Sequence, residues 1–561
     1  MKSLQSYSHD IFSHKNRRLI LAWLLGIPLS YFVTSFLGHF YASSIGVFAL
    51  AFPVHSLTSL FVYHLLNRVR RNLKSNPVEM GITFVLLSAV TAFVPAMYYM
   101  AKPFSYQFDA SIFHLVKPGA WTAFGIALIP AFPISTWALS IAREKRLSET
   151  RIYKFVDENL GGLIVSFSFF SVYLIFASIL NQPAYDADDI FFDADGNLWR
   201  VRFATEYYFD YYWRPAHPYV LIIIRPLVAV LAFFFKGDSL FAAFTLNALI
   251  GALCIFLVWY FVKAVVKNSL YALLIACLFG ASTTQLAFGS IIETYIFLSA
   301  VALLFLVLLL EERPLYPLVV TGLVAFGITI SNVAQTFIAH FFVKRNIKQL
   351  IIYGMIIGAL VVPLSLLHNA IYPEAQPYFW EISTLGAEGH NSFPPTVQRA
   401  HYLGRVMFLH SIVAPEPLVI RDGFPFPKLW MFRASIQKAP MYLASYDTWF
   451  GTSVAYAWLG LLLLGGALFL KNLLKQDNRF FFTFILTLSF YFALHMQYGK
   501  DVFLYSANWT YVIILFLALA WRELADQRWF QMVLLAFITF LLLNNSQILW
   551  TMLYISAPSV K

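Results

Sequence analysis

Cysteine is almost missing from this chain: its 561 residues hold only Cys254 and Cys277. Both fall inside apolar runs, which excludes a disulfide framework and a metal-type cysteine pair. Charge is scarce too, at 12% Asp, Glu, Lys and Arg against 60% hydrophobic residues, a balance that excludes a string of soluble domains. No GxGxxG follows a strand-like run and no Walker pattern occurs, so no nucleotide site is required. There is also no fixed-period repeat and no Gly/Ser-rich linker between domains.

What is present is apolar and aromatic, with 57 Phe, 31 Tyr and 14 Trp and a mean hydropathy of +0.69. Apolar runs of about 20 residues, the length a helix needs to cross a bilayer, recur throughout, whereas a barrel would show short segments of period two. The expected fold is an all-α polytopic membrane protein. A net charge of +11 could suggest nucleic acid, but the basic residues form short clusters between apolar spans and read as topology signals. The apolar run after MKSLQSYSHDIFSHKNRR lacks a small-residue cleavage site and is expected to be retained as a first span.

With the basic clusters placed inside, spans are expected near 18–38, 45–66, 80–100, 120–141, 161–181, 239–262, 269–288, 292–311, 315–331, 332–343, 350–369, 452–470, 479–497, 506–522 and 530–552. The tenth is too short to cross alone, so about 13–15 spans are expected. The segment HPYVLIIIRPLVAVLAFFF, 217–235, is interrupted by Arg225 and two prolines and reads as a helix lying in the outer interface. Four regions follow: an N-terminal four-span block, 1–160; a core, 161–369, with a first outer loop at 182–238; an outer-face cap, 370–451, expected to be helical; and C-terminal spans, 452–561.

Between Gln182 and Ala216 lie seven of the chain's 28 acidic residues and three arginines. Carboxylates beside a membrane face are expensive unless solvated or used. Two groups stand out, Asp188 and Asp189 (with Asp186) near the preceding span, and Asp193 and Asp195 in FFDAD. Either could deprotonate a hydroxyl acceptor; a solvated loop or helix caps is the plainer reading of any single one. An oxygen-rich loop also suits a divalent cation. DADGN resembles part of a calcium loop, but the spacing and closing Glu are absent, so no metal ligands are assigned. Arg200, Arg202 and Arg214, followed by His217, could hold a phosphate or balance the loop's charge. Glu293 reads as an intramembrane carboxylate or a solvated helix end, and Asn332 as an interhelical hydrogen bond. In QYGKDVFLYSANWTY, Lys500 could meet a lipid phosphate or pair with Asp501.

The early loop aspartates, the His-Pro step, the run NALIGALCIFLVWYFVKAVVK and the outward Glu293 together resemble the GT-C superfamily of integral-membrane glycosyltransferases. That group contains protein O-mannosyltransferases and the aminoarabinose transferases of lipid A. The similarity covers approximately 161–345, and FFDADGNLW, YYWRPAHP and QYGKDVFLYS resemble bacterial members. It implies a GT-C-like helical bundle in the plasma (inner) membrane and an extracytoplasmic site. There a sugar would pass, with inversion, from a polyprenyl-phosphate donor to a glycan, lipid or protein acceptor. It also implies a first-loop aspartate as base, Asp195 with Asp193 beside it, or the Asp188 and Asp189 pair, and Arg214 or another outer cation on the leaving phosphate. The four-span block ahead of that loop departs from the pattern. Competing readings are an O-antigen ligase or polysaccharide polymerase, which would draw on residues 399–433, and a transporter or lipid flippase.

Overall fold

A computed structural model describes residues 14–41, 43–104, 110–182, 190–207, 216–373, 386, 389, 391–420, 427–434, 440–475 and 477–556. Asp186, Asp188, Asp189, Asp210 and Arg214 lie outside them, as do Arg421 and Asp422 of the later loop. The chain is an all-α polytopic membrane protein. Among the described residues, eight helices are long and apolar enough to cross a membrane, and a ninth span is bent. Five further apolar helices have only 10–17 residues.

The chain divides into two compact units, Met1–Val85 with Phe108–Leu160, and Leu86–Gln107 with Gly161–Lys561. Helices α1 (His14–Leu25), α2 (Ile27–Gly38), α3 (Ser44–Ser75), most of the first half of α4 (Pro77–Ala101) and α5 (Ala120–Glu144) belong to the first unit. Its expected first span is broken by 43° between Leu25 and Ile27, because Pro28 has no N–H to offer the carbonyl of Leu24. Small residues let its helices approach closely: Ala51, Ala120, Ala123 and Ala127 share one cluster with Val47, Leu115 and Phe124.

Helix α6 (Arg151–Leu180) begins in the first unit and continues into the second. The second unit then adds α7 (Gly196–Ala204), α8 (Val220–Phe234), α9 (Ser239–Val266), α10 (Ser269–Gly280), α11 (Thr283–Phe288), α12 (Thr294–Leu310), α13 (Leu315–Ile328), α14 (Val333–Lys344) and α15 (Ile347–Ile371). It closes with α16 (Val397–Arg405), α17 (Trp449–Asn472), α18 (Arg479–His495), α19 (Ala507–Ala520) and α20 (Arg528–Ser556). Helices α10, α12 and α19 are buried nearly all round, which explains their uniformly apolar sequences. Side-chain caps fix several starts: Asp238 accepts from Phe241 N–H at 2.8 Å and Asn268 from Tyr271 N–H at 2.8 Å, satisfying donors that helix ends otherwise leave open.

The expected helical cap at 370–451 is a correction. Its described part holds α16, a π-helical turn at Val406–His410, and two antiparallel ribbons: β1 (Leu418–Ile420) with β2 (Lys428–Trp430), and β3 (Phe432–Arg433) with β4 (Tyr442–Leu443). Pro415, Pro417, Pro427 and Pro440 interrupt the segment, and proline removes the donors that helix continuation needs. Ribbon β2 also pairs outside its own segment. Phe191 bridges Leu429 in parallel, with Phe192 N–H donating to Leu429 O at 2.6 Å and Leu429 N–H to Ile190 O at 2.7 Å. The acidic loop is thereby stitched to the later segment.

Candidate functional site at the ends of the short helices

Five short helices end at one cavity of about 290 Å³. Tyr295 comes from the start of α12, Thr329 from the end of α13, Asn332 from the start of α14, His495 from the end of α18 and Asn508 from the start of α19. His217, Tyr491, Tyr498 and Tyr505 complete the wall. The volume lies near the lower end of ordinary ligand pockets, roughly 300–1,000 Å³. Several polar atoms of this wall are buried without a partner among the described residues: Asn332 Nδ2, His495 Nε2 and Asn508 Oδ1. Asn332 is otherwise engaged through Oδ1, which accepts from Tyr491 and from Gln335 Nε2, so the expected interhelical bond is present.

The acidic loop holds a strained turn whose aspartates act electrostatically on Tyr505 of this wall. Phe192 and Asp193 both adopt left-handed backbone, φ +60° and +61°, a conformation that costs a side-chain-bearing residue about 1–2 kcal/mol. It is held by packing, since Phe192 is fully buried between Phe503, 4.9 Å away, and Phe288 at 6.3 Å, and by its bond to Leu429. Asp195 then opens α7 as N-cap residue. Its carbonyl accepts from Trp199 N–H at 2.9 Å, but its side chain does not cap the helix. Both aspartates are half-buried.

Glu293 ties down this turn. It is 1% exposed and caps α12, Oε1 accepting from Thr294 N–H at 2.7 Å and from Thr294 Oγ1 at 3.0 Å, while Oε2 accepts from Asp195 N–H at 3.2 Å. It is an enclosed helix cap that positions Asp195. His217 is likewise set by backbone: Nδ1 lies 2.5 Å from Ile328 O and 3.1 Å from Thr329 Oγ1. A carbonyl only accepts, so Nδ1 carries a proton in that bond. Its ring meets Trp199 edge-on at 5.0 Å.

Of the expected phosphate-binding cations, Arg200, Arg202 and Lys500 lie among the described residues. Arg202 is buried with its guanidinium 4.9 Å over the Trp199 ring, and Arg200 is buried against Asn197. Arg225 of α8 donates to the carbonyls of Arg202 and Thr205 at 2.6 and 2.7 Å, locking α7 to α8. Lys500 is half-buried, and no ion pair joins it to Asp501 among the described residues. Asp501 is 0% exposed and accepts three backbone N–H bonds, from Met431 at 2.7 Å, Phe432 at 3.2 Å and Phe503 at 2.9 Å. Burial pushes its carboxyl up to about 7, opposed by those three donors. It pins the β2–β3 junction to the turn before α19.

Arg399 and Tyr505 received no individual role from sequence reasoning. Arg399, 1% exposed, donates Nε to His495 O at 3.0 Å and Nη2 to Tyr498 O at 3.0 Å and Gly499 O at 2.8 Å, and its guanidinium lies 4.6 Å over Phe393. Burial lowers its pKa to about 10, which leaves it charged at neutral pH. It shapes the 495–499 turn that carries His495 and Tyr498 into the cavity wall. A basic residue near histidines was visible in the sequence; a contact across almost 100 residues was not. No group of three or more His, Cys, Asp or Glu side chains able to hold a metal ion occurs among the described residues. Compared with family models, curated proteins and solved structures, the chain finds no match.

Proposed function

We propose that this protein is a membrane glycosyltransferase that moves a sugar from a polyprenyl-phosphate donor to a hydroxyl of an envelope glycan, lipid or protein, at the extracytoplasmic face of the plasma (inner) membrane. The observation that carries the reading is the half-buried Asp193 and Asp195 pair, in a left-handed turn tied to Glu293, within electrostatic reach of Tyr505 on the wall of a cavity where five short helices end. Asp195 is the base that takes the acceptor's proton, with Asp193 beside it. Reaction proceeds in one displacement: the acceptor oxygen bonds the anomeric carbon as the phosphate oxygen leaves, which inverts that carbon.

Helix length supports a lipid donor. Helices α13 and α19 have 14 residues and α14 has 12, so they rise about 18–21 Å, short of a hydrocarbon core of about 30 Å. A cavity at their ends is within lateral reach of a lipid headgroup. Amide, imidazole and phenol side chains in the wall, Asn332, Asn508, His495 and Tyr505 among them, suit a hydroxyl-rich ligand. The ligase or polymerase reading asks for outer arginine and histidine, but three donor contacts of Arg399 go to backbone carbonyls and His410 is fully enclosed. Both circumstances favour the transferase.

The test is transfer of labelled sugar from a panel of polyprenyl-phosphate monosaccharides in membranes carrying the wild type or Asp195→Asn. Transfer by the wild type that disappears in a correctly inserted Asp195→Asn supports reaction and base together. Transfer that survives moves the base to Asp188 or Asp189, and no transfer from any donor sinks the reading.

A further inference from the structure

Tyr505 combines a locked ring with an uncommitted hydroxyl. The ring lies 4.3 Å from His495, meets Tyr295 edge-on at 5.0 Å and is 5.8 Å from Tyr498. On another side Gly499 holds φ +97°, and a Cβ there would fall 2.6 Å from Tyr505 Cε2. Only glycine allows this approach, and a ring so enclosed cannot swing away without displacing neighbours. The phenol oxygen is treated differently by the fold. It makes no hydrogen bond among the described residues and is not one of the sealed polar atoms, while the side chain, 7% exposed, lines the cavity. Burial, then Tyr295 and Tyr498, then the Asp193 and Asp195 carboxylates hold its pKa well above the ordinary tyrosine range. The hydroxyl therefore keeps its proton and is a donor, close enough to both aspartates to feel their charge.

We propose that Tyr505 is a catalytic residue that donates a hydrogen bond to the phosphate oxygen leaving the anomeric carbon, an inference that rests on the glycosyltransferase reading. The bond between that carbon and the phosphate oxygen breaks with its electron pair passing to the oxygen. The acceptor oxygen bonds the carbon and its proton goes to Asp195, then to water. The phenol retains its proton throughout, and its hydrogen bond strengthens as negative charge grows on the leaving oxygen. A neutral donor suits this position, because a cation beside Asp195 would weaken the base by stabilising its charged form.

Tyr505→Phe removes the hydroxyl and keeps the ring. In purified protein in lipid nanodiscs, kcat and KM are measured with a labelled polyprenyl-phosphate hexose that the wild type transfers, and affinity for the same lipid is measured separately. Expected is a fall in kcat on the order of 10²-fold, with KM and affinity moving by less than about threefold. The deficit should shrink for a donor whose phosphate bears an electron-withdrawing fluorinated chain, since a better leaving group needs less help; a merely structural defect would slow every donor alike. Should Tyr505→Phe fail to fold, 2,3-difluorotyrosine at 505, a more acidic donor of nearly the same shape, should change kcat, and an unchanged kcat sinks the proposal. Tyr505→Phe turning over within about threefold of wild type, while Asp195→Asn is inactive, overturns the role of Tyr505 and leaves the transferase standing. No transfer by the wild type from any donor overturns both.

Discussion

Two segments near the cavity, the turn before α19 and the first loop, treat their carboxylates in opposite ways. In the turn before α19, Asp501 is sealed from solvent and accepts three backbone N–H bonds. In the first loop, Asp193 and Asp195 are half-buried, and Asp195 occupies an N-cap position without using its side chain there. An N-cap aspartate ordinarily bonds the helix's first N–H groups. Here Glu293 takes the Asp195 N–H instead, so the geometry of the turn is secured without committing the Asp195 side chain to α7. The two sites teach that charge density alone does not locate chemistry. What separates the two sites is whether neighbouring backbone N–H groups take up the side chain, as three do at Asp501 and those of α7 do not at Asp195.

That distinction predicts opposite phenotypes. Asp195→Asn should leave the fold intact and remove about 10³-fold or more of the transfer rate, within the span expected for a general base. Equal melting temperatures with a collapsed kcat would sharpen the contrast; a destabilised Asp195→Asn would break it. Asp501→Ala should do the reverse. Losing the acceptor strands three buried N–H groups, a cost of about 3 kcal/mol or more, readable as a lower unfolding midpoint in detergent.

The same residue carries a pH signature. Its carboxyl is raised to about 7 from 3.8, so the folded state retains a proton that the unfolded state has already lost between those values. The contribution of Asp501 is therefore full below about pH 4 and is lost as pH rises through about 7. Unfolding of wild type relative to Asp501→Asn, followed across that window, should show a stability difference that declines with pH. A difference that rises instead would mean the three N–H donors outweigh burial.

Arg399 is committed in the manner of Asp501, by charge to backbone. Arg399→Lys keeps the charge but cannot reach the carbonyls of His495, Tyr498 and Gly499 together, and should cost about 2 kcal/mol. Full stability in that variant would detach Arg399 from the turn.

Much of the helical fold was legible in the sequence, because apolar runs and basic clusters report it directly: the segments near 239–262, 350–369 and 452–470 fall within α9, α15 and α17. The shortness of α13, α14 and α19 was less so, since Thr329 to Asn332 and Tyr505 to Asn508 look like brief polar interruptions and acquire meaning only when they face one another. FFDAD could be read as an acidic candidate, and Glu293 as a polar break at a helix end. That Glu293 binds the Asp195 amide spans 98 residues and leaves no local mark. Strand pairing between Phe191 and Leu429 was equally invisible, because parallel bridges depend on distant segments and not on local pattern. Tyr505 was hidden among 31 tyrosines; only its Gly499 neighbour, six positions before it, hinted at a close approach.

Gly499 offers the smallest and finest test of the contrast. Its φ of +97° disfavours any side chain, and a methyl group would press on Tyr505 Cε2 at 2.6 Å. Gly499→Ala should cost about 1–3 kcal/mol from backbone strain, with a further shift of the Tyr505 ring. If the turn serves only to complete the fold, as Asp501 does, the transfer rate at a temperature where the variant is folded should match wild type. If it also positions the phenol beside Asp195, kcat should fall further than the loss of folded protein accounts for, and adding Tyr505→Phe to Gly499→Ala should cost less than it does alone, because the hydroxyl is already displaced.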